Sequence, residues 1–254
     1  MIGAIQAVEW SFRQLTNRKI FASIIIPCVI HVSLLLGLGF ALFTWLSGFM
    51  SWSLPELPAW LAWAQEGLGG ALDVILWVLA FVIAVGFVAF GLTLITTIAH
   101  FIASPFNGWL STNVENQIRP VQHPEFTLWQ MFKMGLSREL QRLKYWLARA
   151  AVLAVLSLIF LWVPVINSMV SFMWMIFGAW MIGLQAVDYV ADNNGVDFKS
   201  TVAACKTAKM SVLSLGAILM GMMLVPFLNL ISMAIGVISG TYLWNHVIDK
   251  KRLK

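Results

Sequence analysis

Of 254 residues, 60% are hydrophobic and only 11% are charged, against about 25% charged in soluble proteins, and the mean hydropathy is +0.86. That balance excludes a water-soluble fold. The apolar runs below are also far longer than the roughly ten residues of a membrane strand, so the chain reads as an all-α integral membrane protein.

Its net charge of +5 is unevenly spread. No Lys or Arg lies between residues 20 and 118, whereas basic residues flank the remaining apolar regions and end the chain. By the positive-inside rule the loop at about 48–70 is periplasmic and the other polar segments, both termini included, are cytoplasmic.

In chain order, the N-terminus lacks a signal-peptide pattern, because the first apolar run is too long for an h-region and no small-residue cleavage site follows. Residues 20–47 and 71–102 are expected to be two long transmembrane helices, each able to span a hydrocarbon core of about 30 Å. Between them Pro55, Pro58 and three Trp describe a segment at the outer interface. Ala103-Ser104-Pro105-Phe106-Asn107-Gly108 then reads as a turn, with Ser104 as N-cap and Pro105 at the first position of a helix reaching about Arg119. At 125–147, apolar residues alternate with Lys133, Arg138, Arg142 and Lys144 at helical spacing, which predicts an amphipathic helix on the cytoplasmic face.

Residues 146–187 and 211–248 are apolar regions, each broken by a proline, and they match at an offset of 62: Val163-Pro164 with Val225-Pro226, Asn167 with Asn229, Gly178 with Gly240. An internal duplication is expected. Basic flanks on both sides predict two Pro-broken helical hairpins. Their first limbs of about 15 residues reach roughly 23 Å, so hemi-penetrating hairpins and full crossings both remain open. Gly236 and Gly240 form a small-xxx-small pair, read as a close helix contact within the fold. The whole is expected to form a single membrane domain over residues 1–254.

Passage of an anion needs cations, exposed helix N–H groups, and amides that replace hydration without trapping the ion. Asn17-Arg18-Lys19, ahead of the first long helix, is the first candidate, with a snorkelling anchor as the plain alternative. Asn107, Asn167 and Asn229 are pore candidates, and Asn107 equally suits a local cap. Glu115 and Arg119, four apart, either face a vestibule or pair with each other on a wet surface. Arg138 and Arg142 suit a cytoplasmic vestibule or contact with lipid headgroups. Asp188 and Asp192 would repel an anion and suit ion pairs with those cations. His31, His100, His123 and His246 lack ligand spacing, and Cys28 and Cys205 lie in unlike settings. No catalytic constellation, cofactor, metal or nucleic-acid partner is expected.

The Pro-Phe-Asn-Gly turn at 105–108, Arg138-Glu139, Ala179-Trp180-Met181 with Gln185, Asp188-Tyr189, Asp192-Asn193, and Pro226 with Leu228-Asn229 occur in an order and spacing that resemble the CysZ sulfate permeases, the bacterial branch of the EI24-domain family. The resemblance implies an inner-membrane protein that admits sulfate for cysteine synthesis, surrounded by membrane lipids and assembled as a homo-oligomer. It also implies sulfate binding ahead of the first span. There, family members usually carry Gly-Leu-Arg-Arg, and this chain reads Asn17-Arg18-Lys19-Ile20, keeping two cations without the glycine. The expected function is a passive or ion-gradient-linked sulfate conduit. The rival reading is a membrane scaffold or assembly partner that transports nothing.

Overall fold

The structure, a computed structural model, describes residues 2–50, 70–121, 127–160 and 162–249. Among them every regular element is helical: α1 (Ile2–Gln14), α2 (Arg18–Met50), α3 (Gly70–Ile118), α4 (Leu128–Ile159), α5 (Pro164–Asn193), α6 (Phe198–Thr207), α7 (Lys209–Met223) and α8 (Pro226–Leu243), which ends in a π-helical turn at Trp244–Ile248. The two long apolar runs are helices as expected. At 33 and 49 residues, α2 and α3 extend about 50 and 74 Å. The interfacial segment expected between them, and His123, lie outside the described residues.

One expectation needs correction. No turn interrupts residues 103–108, because α3 runs through Ser104 and Pro105 to Ile118 as one helix. Pro105 follows a turn that is already helical, and membrane helices tolerate the one backbone bond a proline removes when neighbours resatisfy the freed group. The amphipathic segment and the first hairpin limb are continuous. α4 carries both, starting at a capping box in which Thr127 accepts from the Gln130 N–H and Gln130 answers the Thr127 N–H. Arg149 lies between its amphipathic and apolar halves, and nothing in that stretch breaks a helix.

The chain divides into two compact units, one of Met1–Val29 with Ala103–Lys254 and one of Ile30–Ile102. In the second, Trp45 of α2 stacks on Phe87 of α3 at 4.7 Å. Large apolar side chains there face outward, Phe40, Phe43 and Phe81 each at 69% exposure. So continuous an apolar surface is one that lipid or another subunit covers.

In the first unit α5 is central, packed against α4, α6, α7 and α8, while α1 packs on α7 and α8. Small residues set the crossings. A methyl group on Gly183 would overlap the Val212 carbonyl, one on Gly216 the Ala179 carbonyl, and one on Gly240 the Ala186 carbonyl. The Gly236–Gly240 pair is thus a contact inside the fold, as expected, and lets α8 lie directly on α5. Ser11 pairs with Ser239 at 2.7 Å and Ser111 with Thr241 at 2.9 Å, joining α1 and α3 to α8 without stranding a hydroxyl.

Both hairpins form. Each second limb starts with proline at its first position, after an extended Val163 or Val225, because proline's fixed φ suits a helix start and its missing N–H costs nothing there. Trp162 at 88% exposure and Leu224 at 82% leave the apolar tips uncovered within the chain. At the other end of α5, Gly195 adopts φ +68°. The N–H groups of Gly195 and Val196 close onto the Asp192 and Ala191 carbonyls, a turn that favours glycine. Asp197 then caps α6 by accepting from the Ser200 N–H. α6 and α7 meet at a bend of 99°.

Candidate functional site

The joint between α1 and α2 is built locally. The Asn17 N–H donates to the Gln14 carbonyl at 2.9 Å, and the Asn17 carbonyl accepts from the Phe21 N–H at 2.8 Å. Asn17 therefore caps α2, and Arg18 and Lys19 occupy its first two positions. Arg18 is exposed; the side chain of Lys19 lies outside what is described. The helix start is held firmly, since Ile20 and Ile24 are buried with Leu110 and Val114 of α3, Tyr189 of α5 and Val237 and Ile238 of α8. The first N–H groups of a helix have no intrahelical partner and its dipole is positive there. An exposed cation beside them is an arrangement that can attract an anion. Nearby, Arg13 is engaged by Glu9 on the surface.

Arg138 and Arg142 are largely buried, their side chains 7% exposed. Arg138 Nε lies 3.0 and 3.1 Å from the two Asp188 oxygens, and its Nη2 lies 2.7 Å from Oδ1 and 2.9 Å from the Thr201 hydroxyl. Arg142 donates to the other Asp188 oxygen at 2.8 Å and to Glu139 at 2.7 Å. Asp192 completes the group at 3.6 Å from Arg138. Burial works against the charged form of Arg142, but Asp188, with Tyr189 and Glu139, outweighs it and holds the guanidinium's pKa above its ordinary value. The expected ion pairing of the aspartates with these cations is present. It joins α4, α5 and α6.

Glu115 is also fully buried. It accepts from Arg119 Nη2 at 2.9 Å and from Asn194 Nδ2 at 2.8 Å, and Arg119 reaches on to Asp249 at 3.2 Å. The pair expected from the four-residue spacing is present, but not on a wet surface, since Glu115 is 0% exposed; Asn194 and Asp249, which sequence spacing gave no means of finding, extend it. Asn193 donates to the Gly108 carbonyl at 2.8 Å and to Thr112 at 3.0 Å. Asn107 is buried, its amide 3.7 Å from the Met233 sulfur. Asn229 is exposed in the first turn of α8, and Asn167 lies in the first turn of α5, where only its backbone is described. The site residues therefore fall in separate places: Asn17, Arg18 and Lys19 at one helix start, Asn167 and Asn229 near the hairpin tips, Asn107, Glu115, Arg138 and Arg142 inside the packing, and Arg119, 40% exposed, at its edge.

Several sequence motifs meet one another. The 105–108 segment is tied through Gly108 to Asn193, and Arg138 is tied to Asp188. Residues 8–234 match the family described as sulfate transporter CysZ/etoposide-induced protein 2.4. The chain belongs to this family. The sulfate transporter CysZ of Pectobacterium atrosepticum is 32% identical over 233 residues, covering 90% of this chain and 78% of the relative. That of Pseudomonas fluorescens is 32% identical over 225 residues, 87% of this chain and 84% of the relative. That of Pseudomonas syringae pv. tomato is 33% identical, with 87% and 83% covered. Membership in the CysZ family agrees with a helical membrane protein whose residues Ser168–Asn193 and Ile231–Ile248 are long and apolar enough to cross a bilayer.

Proposed function

We propose that this chain is a sulfate permease of a bacterial inner membrane, supplying sulfate for cysteine biosynthesis. The observation that carries the reading is the similarity to sulfate transporters along about nine-tenths of the chain, supported by a cationic, exposed helix start at Arg18. Arg18 and Lys19 gather the anion, and the α2 N–H groups share its charge.

Depth along the helices supports hemi-penetrating hairpins. Ten residues separate Arg149 from the end of α4, and fourteen separate Lys209 from the end of α7, or about 15 and 21 Å. With those cations at headgroup level, the first limb reaches roughly the middle of a 30 Å core and the second about two-thirds of the way across, both short of a full crossing. The burial of α5 agrees: Met169, Phe172, Met173 and Ile176 face outward as lipid contacts, whereas Leu184, Val187, Asp188 and Val190 are enclosed by protein. The Arg138–Asp188 group then sits in helical packing on the cytoplasmic side, without paying for a charge in hydrocarbon.

Most inward polar groups of the compact unit satisfy one another, Ser11 with Ser239, Ser111 with Thr241, Glu115 with Arg119 and Asn194, with Arg142 Nε and Asn245 Oδ1 the exceptions among the described residues. A wet passage is therefore walled by surfaces the chain presents outward, in a homo-oligomer whose subunits bring Asn229 and the exposed tips together. Sulfate binding by the purified protein tests the site. An Arg18→Glu, Lys19→Glu variant is expected to lose it, and unchanged affinity would place the site elsewhere.

A further inference from the structure

α4, α5 and α7 enclose an open groove of about 480 Å³, within the size range of pockets that hold small ligands. Its walls are apolar, formed by Val152, Leu153, Met173, Ile176, Phe177 and Leu213 with the hydrocarbon stems of Arg149 and Lys209, whose charged heads lie outside the apolar lining. Among the described lining residues there is no carboxylate.

Chain position puts the two cations at one end. Each lies about one turn farther from its hairpin tip than the apolar residues of the same helix: Arg149 before Val152, Lys209 before Leu213. Trp180 lies at the corresponding place on α5, its indole N–H donating to the Tyr145 hydroxyl at 3.1 Å. The Arg149 guanidinium stacks over the Tyr145 ring at 3.4 Å, which orients it without neutralising it. An apolar slot headed by two cations and an interfacial tryptophan matches one kind of molecule, a lipid with an anionic headgroup.

We propose that the groove is a binding site for an anionic phospholipid, with the phosphate on Arg149 and Lys209 and an acyl chain along Val152, Ile176 and Leu213. This rests on the chain being a membrane protein and not on what it transports. A zwitterionic lipid brings its own cation to the same place and binds less well.

The test is native mass spectrometry of the detergent-purified protein with equal amounts of phosphatidylglycerol and phosphatidylcholine. Wild-type protein is expected to retain phosphatidylglycerol roughly 10- to 30-fold over phosphatidylcholine, the effect of two cations on one phosphate. Arg149→Gln with Lys209→Gln is expected to abolish the preference; an undiminished preference overturns the site. Val152, 60% exposed, gives an independent variant. Val152→Trp is expected to fill the slot and lower retention of both lipids, and unchanged retention of phosphatidylglycerol also overturns it. Inorganic phosphate alone is expected to leave the lipid bound; displacement by it would mean a free-anion site and would sink the lipid assignment.

Discussion

Asp188→Asn should damage the protein more than any other single polar substitution in the α4–α5–α6 group. Asp188 is fully buried, and the two arginine side chains that hold it are each 7% exposed. Arg138 reaches both of its oxygens and Arg142 reaches one. An asparagine keeps one acceptor and turns an amide donor toward two guanidinium groups, so two buried cations lose the countercharge they share, leaving Arg142 with Glu139 and Arg138 with the 3.6 Å contact to Asp192. Breaking a buried pair from one side costs about 3–5 kcal/mol, a large share of a net stability of about 5–15 kcal/mol. At this chain length that is a fall of roughly 6–20 °C in melting temperature. Thr201→Val removes the 2.9 Å bond from Arg138 and the hydroxyl's own 3.0 Å bond to the Asp197 carbonyl, at about 1 kcal/mol each. Tryptophan fluorescence during thermal unfolding in detergent reads both. If Asp188→Asn melts with the wild type, or no lower than Thr201→Val, the group does not hold the helices together and the reasoning fails.

The α5–α7 crossing gives a paired prediction for the same assay. Gly216→Ala drives a methyl group into the Ala179 carbonyl and is expected to destabilise by about 1–3 kcal/mol. Gly221→Ala on the same helix meets open space and is expected to stabilise by up to about 1 kcal/mol; equal effects would refute the close crossing. At Asp197, hydrogen bonds from Ser200 hold the carboxyl below its ordinary pKa. Its folded pKa being depressed, the support it gives α6 is present above the unfolded value and disappears as pH falls through the folded one. Amide exchange in α6 should thus differ between wild type and Asp197→Ala at neutral pH and converge in acid. A difference that persists in acid would contradict the cap.

The sequence made the long apolar helices and both proline-started limbs legible for physical reasons. Lipid forces long uninterrupted apolar runs, and proline's missing N–H suits a first helical turn and little else. The same rule misled at Ser104-Pro105, where it suggested a start inside a helix already under way. α1 escaped notice because its buried face is made of Ala4, Ala7, Val8 and Ser11, too small and too polar to register as a core stripe. Its spacing at one, four, five and eight was nonetheless a helical signal. Of the site, Glu115 with Arg119 was readable from four-residue spacing. The pairing of Asp188 with Arg138 and Arg142 was readable from the sign of the charges, whereas Asn194 with Glu115 was not, because 79 residues separate them and only helix packing brings them together. Arg18 and Lys19 were legible as a cationic helix start.

Uptake of radiolabelled sulfate into proteoliposomes, with monodisperse protein and a matched set of empty vesicles, tests the central claim most directly. The account predicts uptake well above the empty vesicles and its loss in the Arg18→Glu, Lys19→Glu variant. Wild-type uptake no greater than that of empty vesicles would contradict it.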